Sequence, residues 1–189
     1  MKIKTILLAS LLSVGTLFAG NYKVDVDHTS VAFKVKHMMI SNVKGQFGKF
    51  SGTFVYDEKT KTLQALHGDV DVLSINTDNA RRDAHLKSED FFDVAKYTTM
   101  SYTLDKVVGN KAYGKLTIHG ITKDVPMDLE LSGGTVKDPW GNTRTGLSLS
   151  GTINRKDFGL MWNQAVEAGG VMVGDEVKIN VEIEGILQK

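Results

Sequence analysis

Apolar and polar residues alternate with a period of two through nearly all of the chain beyond residue 20. Val31, Phe33 and Val35, for example, alternate with positions that include Lys34 and Lys36. Successive side chains of a β-strand point to opposite faces, so this pattern predicts strands with one apolar face. About eight such runs follow one another, each ending at a Gly, Asn, Asp or Pro turn signal. The pattern predicts an all-β protein, with most neighbouring strands joined by short loops and therefore antiparallel.

One stretch, residues 77–93, departs from the alternation and reads TDNARRDAHLKSEDFFD. Polar capping residues are followed by Ala80, Ala84 and Leu86 at helical spacing. This pattern predicts one short helix and a further turn. No internal repeat or change of composition indicates a second domain.

Eight antiparallel strands with one covered face can form either a sandwich or a closed barrel. Gly52, Gly114, Gly146 and Gly151 lie within strand runs, where glycine often marks the bends that a barrel needs. Closure also removes the exposed strand edges that invite aggregation. These features favour a barrel and leave a sandwich as the alternative.

The first residues have the features of a secretory signal peptide. Lys2 and Lys4 precede an apolar run over residues 6–18, and small residues follow at Ala19-Gly20. The run is short for a membrane span, so a retained anchor is the weaker interpretation. We expect cleavage after Ala19, which leaves residues 20–189 as one exported domain; in a bacterium, its compartment would be the periplasm.

Composition excludes several classes of function. The chain has 23 Lys and Arg against 22 Asp and Glu, a net charge of +1 that becomes −1 once Lys2 and Lys4 are removed. No basic field is left for nucleic acid or for an anionic membrane surface. Cysteine is absent, which excludes disulfides, thiolate catalysis and cysteine-ligated zinc.

Common catalytic motifs are also missing from the sequence. We find no Gly-x-Ser-x-Gly nucleophile elbow, phosphate-binding loop or dinucleotide fingerprint. Accordingly we predict no catalytic residue, no metal ligand and no cofactor, although a metal site assembled from distant strands stays open. The histidines are scattered, with no pair at the spacing of a zinc-binding helix: His28, His37, His67, His85 and His119.

Six sequence blocks resemble a known family. They read DHTS at 27–30, GQFGKFSG at 45–52, SINTDNARRDAHLKSEDFFD at 74–93, GKLTIHGITK at 114–123, INRKDFGL at 153–160 and GVMVGDEV at 170–177. In this order they are similar to the YceI family, bacterial lipocalin-like proteins described as polyisoprenoid-binding. Asp78 and Thr98 depart from the family pattern, since glycine and proline, respectively, are expected there.

The resemblance implies an eight-stranded antiparallel lipocalin-like barrel with the short helical segment, near residues 77–93, beside its mouth. It also implies a long isoprenoid or similar lipid inside the barrel and no established catalysis. We therefore predict a periplasmic carrier or buffer whose cargo is a polyisoprenoid, a prenylated quinone or a fatty acyl amide. Contact with a membrane would be transient and serve ligand exchange.

Strand parity and the blocks together nominate the residues that contact this ligand. The predicted head-group contacts are His37, Arg82 and Asp83; the alternatives are a hydrogen-bonded rim histidine and ion pairs with neighbouring elements. The predicted apolar wall consists of Phe33, Val35, Phe47, Phe54, Met100, Tyr102, Leu116, Ile118, Leu129, Leu149, Phe158 and Trp162.

Two other functions are compatible with the sequence. An enzyme acting on a bound lipid or quinone would use His37, Asp83 and His85 as acid and base. A structural or stress-related protein would fill a narrow barrel with its own side chains. A homodimer that joins two barrel mouths also stays open.

Overall fold

The computed structural model describes residues 19–166 and 170–189. Within them, one α-helix, α1 (Ala80–Lys87), and two 3-10 turns (Val72–Ser74 and Arg155–Phe158) accompany a single large sheet. None of the described helices is long and apolar enough to cross a bilayer. The strands are β1 (Ala19–Val24), β2 (Ser30–His37), β3 (Ser41–Phe47), β4 (Phe50–Asp57), β5 (Thr62–Asp71), β6 (Ile75–Asn76), β7 (Thr99–Val108), β8 (Lys111–Ile118), β9 (Ile121–Leu131), β10 (Val136–Lys137), β11 (Thr143–Asn154) and β12 (Val173–Leu187).

The strands follow eight positions around a closed antiparallel barrel, as predicted; we call each position a strand path. β1 and β2 are the two halves of one interrupted path, and β3 and β4 form a second, because β1 pairs with β4 while β2 pairs with β3. The paths neighbour one another in the order β1/β2, β3/β4, β5, β7, β8, β9, β11 and β12. The short β6 pairs antiparallel with β3, and the short β10 pairs antiparallel with β11.

The long strand β12 closes the barrel. Along one edge it pairs with β11 from Arg144↔Ile186 to Asn154↔Glu176. Along its other edge the first half pairs with β2 and the last residues pair with β1. One strand thus joins the beginning and the end of the sheet, so every inward-facing row surrounds the same interior.

Aromatic rings pack together at one end of this interior, which we call the closed end. The rings of Tyr22 and Phe54 stack with their centroids 5.1 Å apart, and Tyr56 meets Tyr22 edge-on at 6.4 Å. All three side chains are buried. Gly185 on β12 makes room for them, because a Cβ there would lie 2.4 Å from the Phe54 ring and 3.0 Å from the Tyr22 Cβ.

We expect Gly185→Ala to lower the free energy of unfolding by about 1–3 kcal/mol, since the buried Phe54 ring has no free space to move into. Urea denaturation would measure the change. Gly48→Ala is the matched control, because the nearest atom to its new Cβ would lie 3.9 Å away. Equal stability of the two variants would contradict the packing assigned to Gly185.

An ion-pair network ties the loops together at the closed end. Arg144 donates from Nη1 to Asp25 at 2.5 Å and to Glu184 at 2.6 Å, and from Nε to Asp138 at 2.7 Å. His28 adds a 2.9 Å contact from Nδ1 to the same Asp25 carboxylate. Asp25, His28 and Glu184 lie close enough together to bind a metal ion, but both carboxylates are already paired with the Arg144 guanidinium.

The network should make stability depend on acidity. The hydrogen bond from Arg144, aided by that from His28, lowers the pKa of Asp25 from 3.8 to about 2. A carboxyl whose pKa is lower in the folded protein contributes stability above its ordinary pKa and loses that contribution as the pH falls through the folded value.

We therefore expect Arg144→Met to be less stable than the parent at neutral pH, with the difference shrinking between about pH 4 and about pH 2 as Asp25 becomes protonated. Urea denaturation across this range is the measurement. Lys34→Met, which removes a cation from a strand outside this network, serves as the control. A stability difference that stays constant down to about pH 2 would show that the ion pairs contribute nothing.

Candidate ligand cavity and its mouth

A cavity of about 200 Å³ lies inside the barrel. A void of about 10–15 Å³ is enough for one water molecule, so this space far exceeds the gaps of an ordinary packed core. Its wall is almost wholly apolar because each contributing strand turns its apolar row inward. β12 supplies Val177, Ile179, Val181 and Ile183, and β2 supplies Val31 opposite Val181.

Eight of the twelve residues predicted for the wall line this cavity. They come from five different strands, which shows that alternation identified the inward face around much of the barrel. These eight residues are Phe33, Val35, Phe47, Met100, Tyr102, Leu116, Ile118 and Leu149.

The other four predicted wall residues lie elsewhere. Phe54 is part of the closed end, stacked on Tyr22. Leu129 is buried next to a shallow pocket lined by Leu63 and Leu131. Phe158 is buried in the 3-10 turn that follows β11, and Trp162 stands at the mouth.

Several wall residues are missing from the predicted set. The β12 row was visible as alternation, so a signal for Val177 and its neighbours existed. Leu86, Phe91 and Phe92 also reach the cavity, but they belong to α1 and the turn after it, where strand parity says nothing. Phe92 contacts Phe47 edge-on at 6.2 Å, which carries the apolar wall from the helical segment into the barrel.

Tyr102 on the cavity wall is uncharged and hydrogen-bonded. Burial raises the pKa of Tyr102 to about 12, so its hydroxyl stays protonated and donates to the Ala112 carbonyl at 3.2 Å. Gly114 on the neighbouring strand β8 leaves space for this ring, since a Cβ there would lie 2.6 Å from it. A largely apolar wall suits an apolar ligand, because an ion buried in it would lose its hydration.

The most deeply buried cation of the described chain is Arg155, 3% exposed. It donates from Nε to the Gly174 carbonyl at 3.0 Å and from Nη1 to the Leu160 carbonyl. Burial lowers its pKa, partly offset by Asp175, whose carboxylate is 3.6 Å from Nη2. Arg155 therefore fixes the segment after β11 against the start of β12. No sequence signal separates such a positioning arginine from a surface one.

The helix at the mouth begins at a well-formed cap. Asn79 accepts a hydrogen bond from the backbone N of Arg82 at 3.0 Å, as an N-cap residue does. Asp78 just before it has φ of 58°, a left-handed conformation in which glycine is favoured and aspartate is tolerated. This explains why a glycine was expected there.

Arg82 and Asp83 both converge on Thr77. Arg82 donates from Nε to the Thr77 hydroxyl at 2.8 Å and from Nη2 to its carbonyl at 2.7 Å. Asp83 accepts from the Thr77 hydroxyl at 2.5 Å and from its backbone N at 2.9 Å. These bonds hold the loop before α1, so Asp83 is directed to Thr77, whereas Arg82 also borders the mouth.

A second space, of about 460 Å³, forms the mouth above the cavity wall at Phe33 and Val35. Its polar lining comes from Lys36, His37, Asn79, Arg81, Arg82 and His85 and includes no carboxylate among the described residues. His85 is held between two rings, with centroid distances of 5.1 Å to Phe91 and 4.8 Å to Trp162, and contacts Asp90 at 2.9 Å. The mouth is thus aromatic and cationic.

The residues proposed for the enzyme alternative are only partly brought together. His37 and His85 both line the mouth. Asp83 instead binds Thr77, and His85 has Asp90 as its carboxylate partner.

Comparison with known proteins agrees with this architecture. Residues 22–185 match the YceI-like domain family. A UPF0312 protein of Staphylococcus aureus strain N315 is 38% identical over 164 residues, covering 87% of this chain and 96% of that protein.

Solved structures give the same result. The Campylobacter jejuni YceI protein has 34% identity and a TM-score of 0.70, covering 82% of this chain and 90% of that chain. A polyisoprenoid-binding domain from Saccharophagus degradans shares the fold at 16% identity, with a TM-score of 0.65 and coverage of 88% and 98%. The chain belongs to the YceI-like family.

Proposed function

We propose that this protein is a periplasmic carrier or buffer that holds a long apolar molecule in its barrel. The observation that carries the proposal is the apolar cavity, which is blocked by rings at one end and approached through a cationic mouth at the other. A single-chain lipid fits this asymmetry, with its tail inward and its polar group at the mouth. The polyisoprenoid-binding domain of Saccharophagus degradans, which shares the fold, supports this ligand class.

Burial of the tail supplies enough free energy for binding. Each buried methylene contributes about 0.8 kcal/mol, and micromolar affinity requires about 8 kcal/mol, so about ten buried carbons suffice before ordering costs. A polyisoprenoid, a prenylated quinone or a fatty acyl amide exceeds this length.

Within this proposal, His37 and Arg82 contact the head group. Both border the mouth, and a guanidinium offers a planar set of donors to a phosphate or carbonyl oxygen. Asp83 acts indirectly, because it fixes Thr77 and with it the Arg82 side chain.

The open interior favours a carrier over the alternative of a barrel filled by its own side chains. A solidly packed barrel would leave gaps no larger than a water molecule, and this cavity is many times larger. The separation of Asp83 from the mouth lining likewise favours binding over turnover.

Val181→Phe is expected to weaken binding of a fluorescent polyprenyl or fatty-acyl probe about 100-fold. The added ring takes the space of about three to four methylenes, which corresponds to about 3 kcal/mol. Fluorescence titration measures the change, and a thermal melt confirms that the variant folds. Glu182→Phe adds the same ring at an exposed position one residue further along β12 and should bind like the parent. Equal affinities for all three proteins would place the ligand outside the barrel.

Export is part of the proposal and has its own test. The signal-like residues 1–19 support cleavage after Ala19. Protein from the periplasmic fraction should have the mass of residues 20–189. Leu12→Arg, which interrupts the apolar run, should instead accumulate uncleaved inside the cell. A periplasmic protein that keeps Lys2 and Lys4 would contradict the predicted cleavage.

A further inference from the structure

The loop between β2 and β3 presents bare apolar side chains beside the mouth. Met38, Met39 and Ile40, which we call the mouth hairpin, are 39%, 59% and 81% exposed. The backbone N of Met38 donates to the Met172 carbonyl at 2.8 Å, and Met172 and His37 both line the mouth. The hairpin is therefore fixed to the rim through which a ligand would pass.

The hairpin has the wrong residues for its turn. The backbone N of Ile40 donates to the His37 carbonyl at 3.2 Å, which makes Met38 and Met39 the central residues. Their φ angles are 50° and 63°. A turn with positive φ at both central positions favours Asn-Gly, and bulkier residues there cost backbone free energy. Strain of this kind persists where the side chains serve a function.

Charges near the hairpin indicate what the methionines contact. Lys36, His37, Arg81 and Arg82 line the adjacent mouth. Over residues 19–166 and 170–189, none of the four forms an ion pair with a carboxylate. The net charge of the chain leaves no overall basic field, but the fold gathers Lys36, Arg81 and Arg82 at this end. Apolar side chains beside such cations match an anionic lipid surface, in which the apolar groups enter the interface while the cations meet the headgroups.

At the closed end of the barrel, an exposed apolar side chain has acidic neighbours instead of basic ones. Trp140 is 80% exposed there, so that end also has an exposed apolar group. Its charged neighbours differ, because three carboxylates, those of Asp25, Asp138 and Glu184, surround the Arg144 guanidinium there. An anionic surface would be repelled by this end and attracted by the mouth.

We propose that the mouth hairpin docks on an anionic bilayer, its two methionines and Ile40 entering the lipid interface and the mouth facing the membrane. The inference rests on the carrier function and adds the surface through which ligand exchange occurs. Cargo would then pass between bilayer and barrel without crossing bulk water.

The test is flotation of the mature protein with vesicles of phosphatidylglycerol and phosphatidylcholine, or of phosphatidylcholine alone. The parent should bind the anionic vesicles and release them at high salt. Met38→Asn combined with Met39→Gly should reduce the vesicle-bound fraction about tenfold, because the apolar tip is lost. The same pair of changes suits the turn, so the melting temperature should stay the same or rise. Trp140→Ser, at the opposite end, is the matched control and should bind like the parent.

Equal vesicle binding by the parent and the hairpin variant would overturn the proposal, as would a parent that binds no anionic vesicle. The proposal would also be overturned if the parent formed a dimer and the hairpin variant were a monomer, because a second copy of the chain would then cover the apolar side chains of the hairpin. Probe affinity measured without vesicles separates this outcome from the carrier function. If the hairpin variant binds the probe as tightly as the parent does, its cavity is intact. If the parent binds vesicles but not the probe, the carrier function is refuted and membrane docking is not.

Discussion

The ladder between β11 and β12 is the constraint on which the rest of the structure depends. It runs from Arg144↔Ile186 to Asn154↔Glu176 and joins the last strand to its predecessor while β12 also holds β1 and β2. Once the sheet is closed, the apolar row of each strand has only one interior to face. An open sheet with the same alternation would need a second layer to cover those rows, whereas the barrel covers them with one another.

Side-chain size then divides the interior into two parts. At the closed end, large rings meet, and glycine at position 185 lets Phe54 stack on Tyr22. Further along, the facing residues of β2 and β12 are mostly branched aliphatics, such as Val31 opposite Val181, and space remains between the walls. The Arg144 network secures the closed end from outside. The mouth is built differently, from α1 and from the segment after β11 that Arg155 fixes against the start of β12. The two ends therefore have distinct chemistry.

Alternation in the sequence determines whether a side chain points in or out, but not how far along the barrel it lies. Phe33 and Phe47 were therefore placed on the wall, and both line the cavity. Phe54 has the same pattern, yet the stagger of the strands takes it to the closed end. Phe91 and Phe92 follow a helix and have no strand parity. Arg155 binds the carbonyl of Gly174, 19 residues further along the chain, and local sequence does not reveal that contact. The short helix itself was predicted, because caps are local features.

The central claim is that the cavity between the β2 and β12 rows holds a lipid chain. Native mass spectrometry of protein purified without detergent tests it most directly. The account predicts a species heavier than the residue 20–189 polypeptide by the mass of one lipid, which is released on unfolding and can be reloaded from added quinone, polyprenyl phosphate or fatty amide. A protein that is isolated empty, and stays empty when offered all three, would contradict the account.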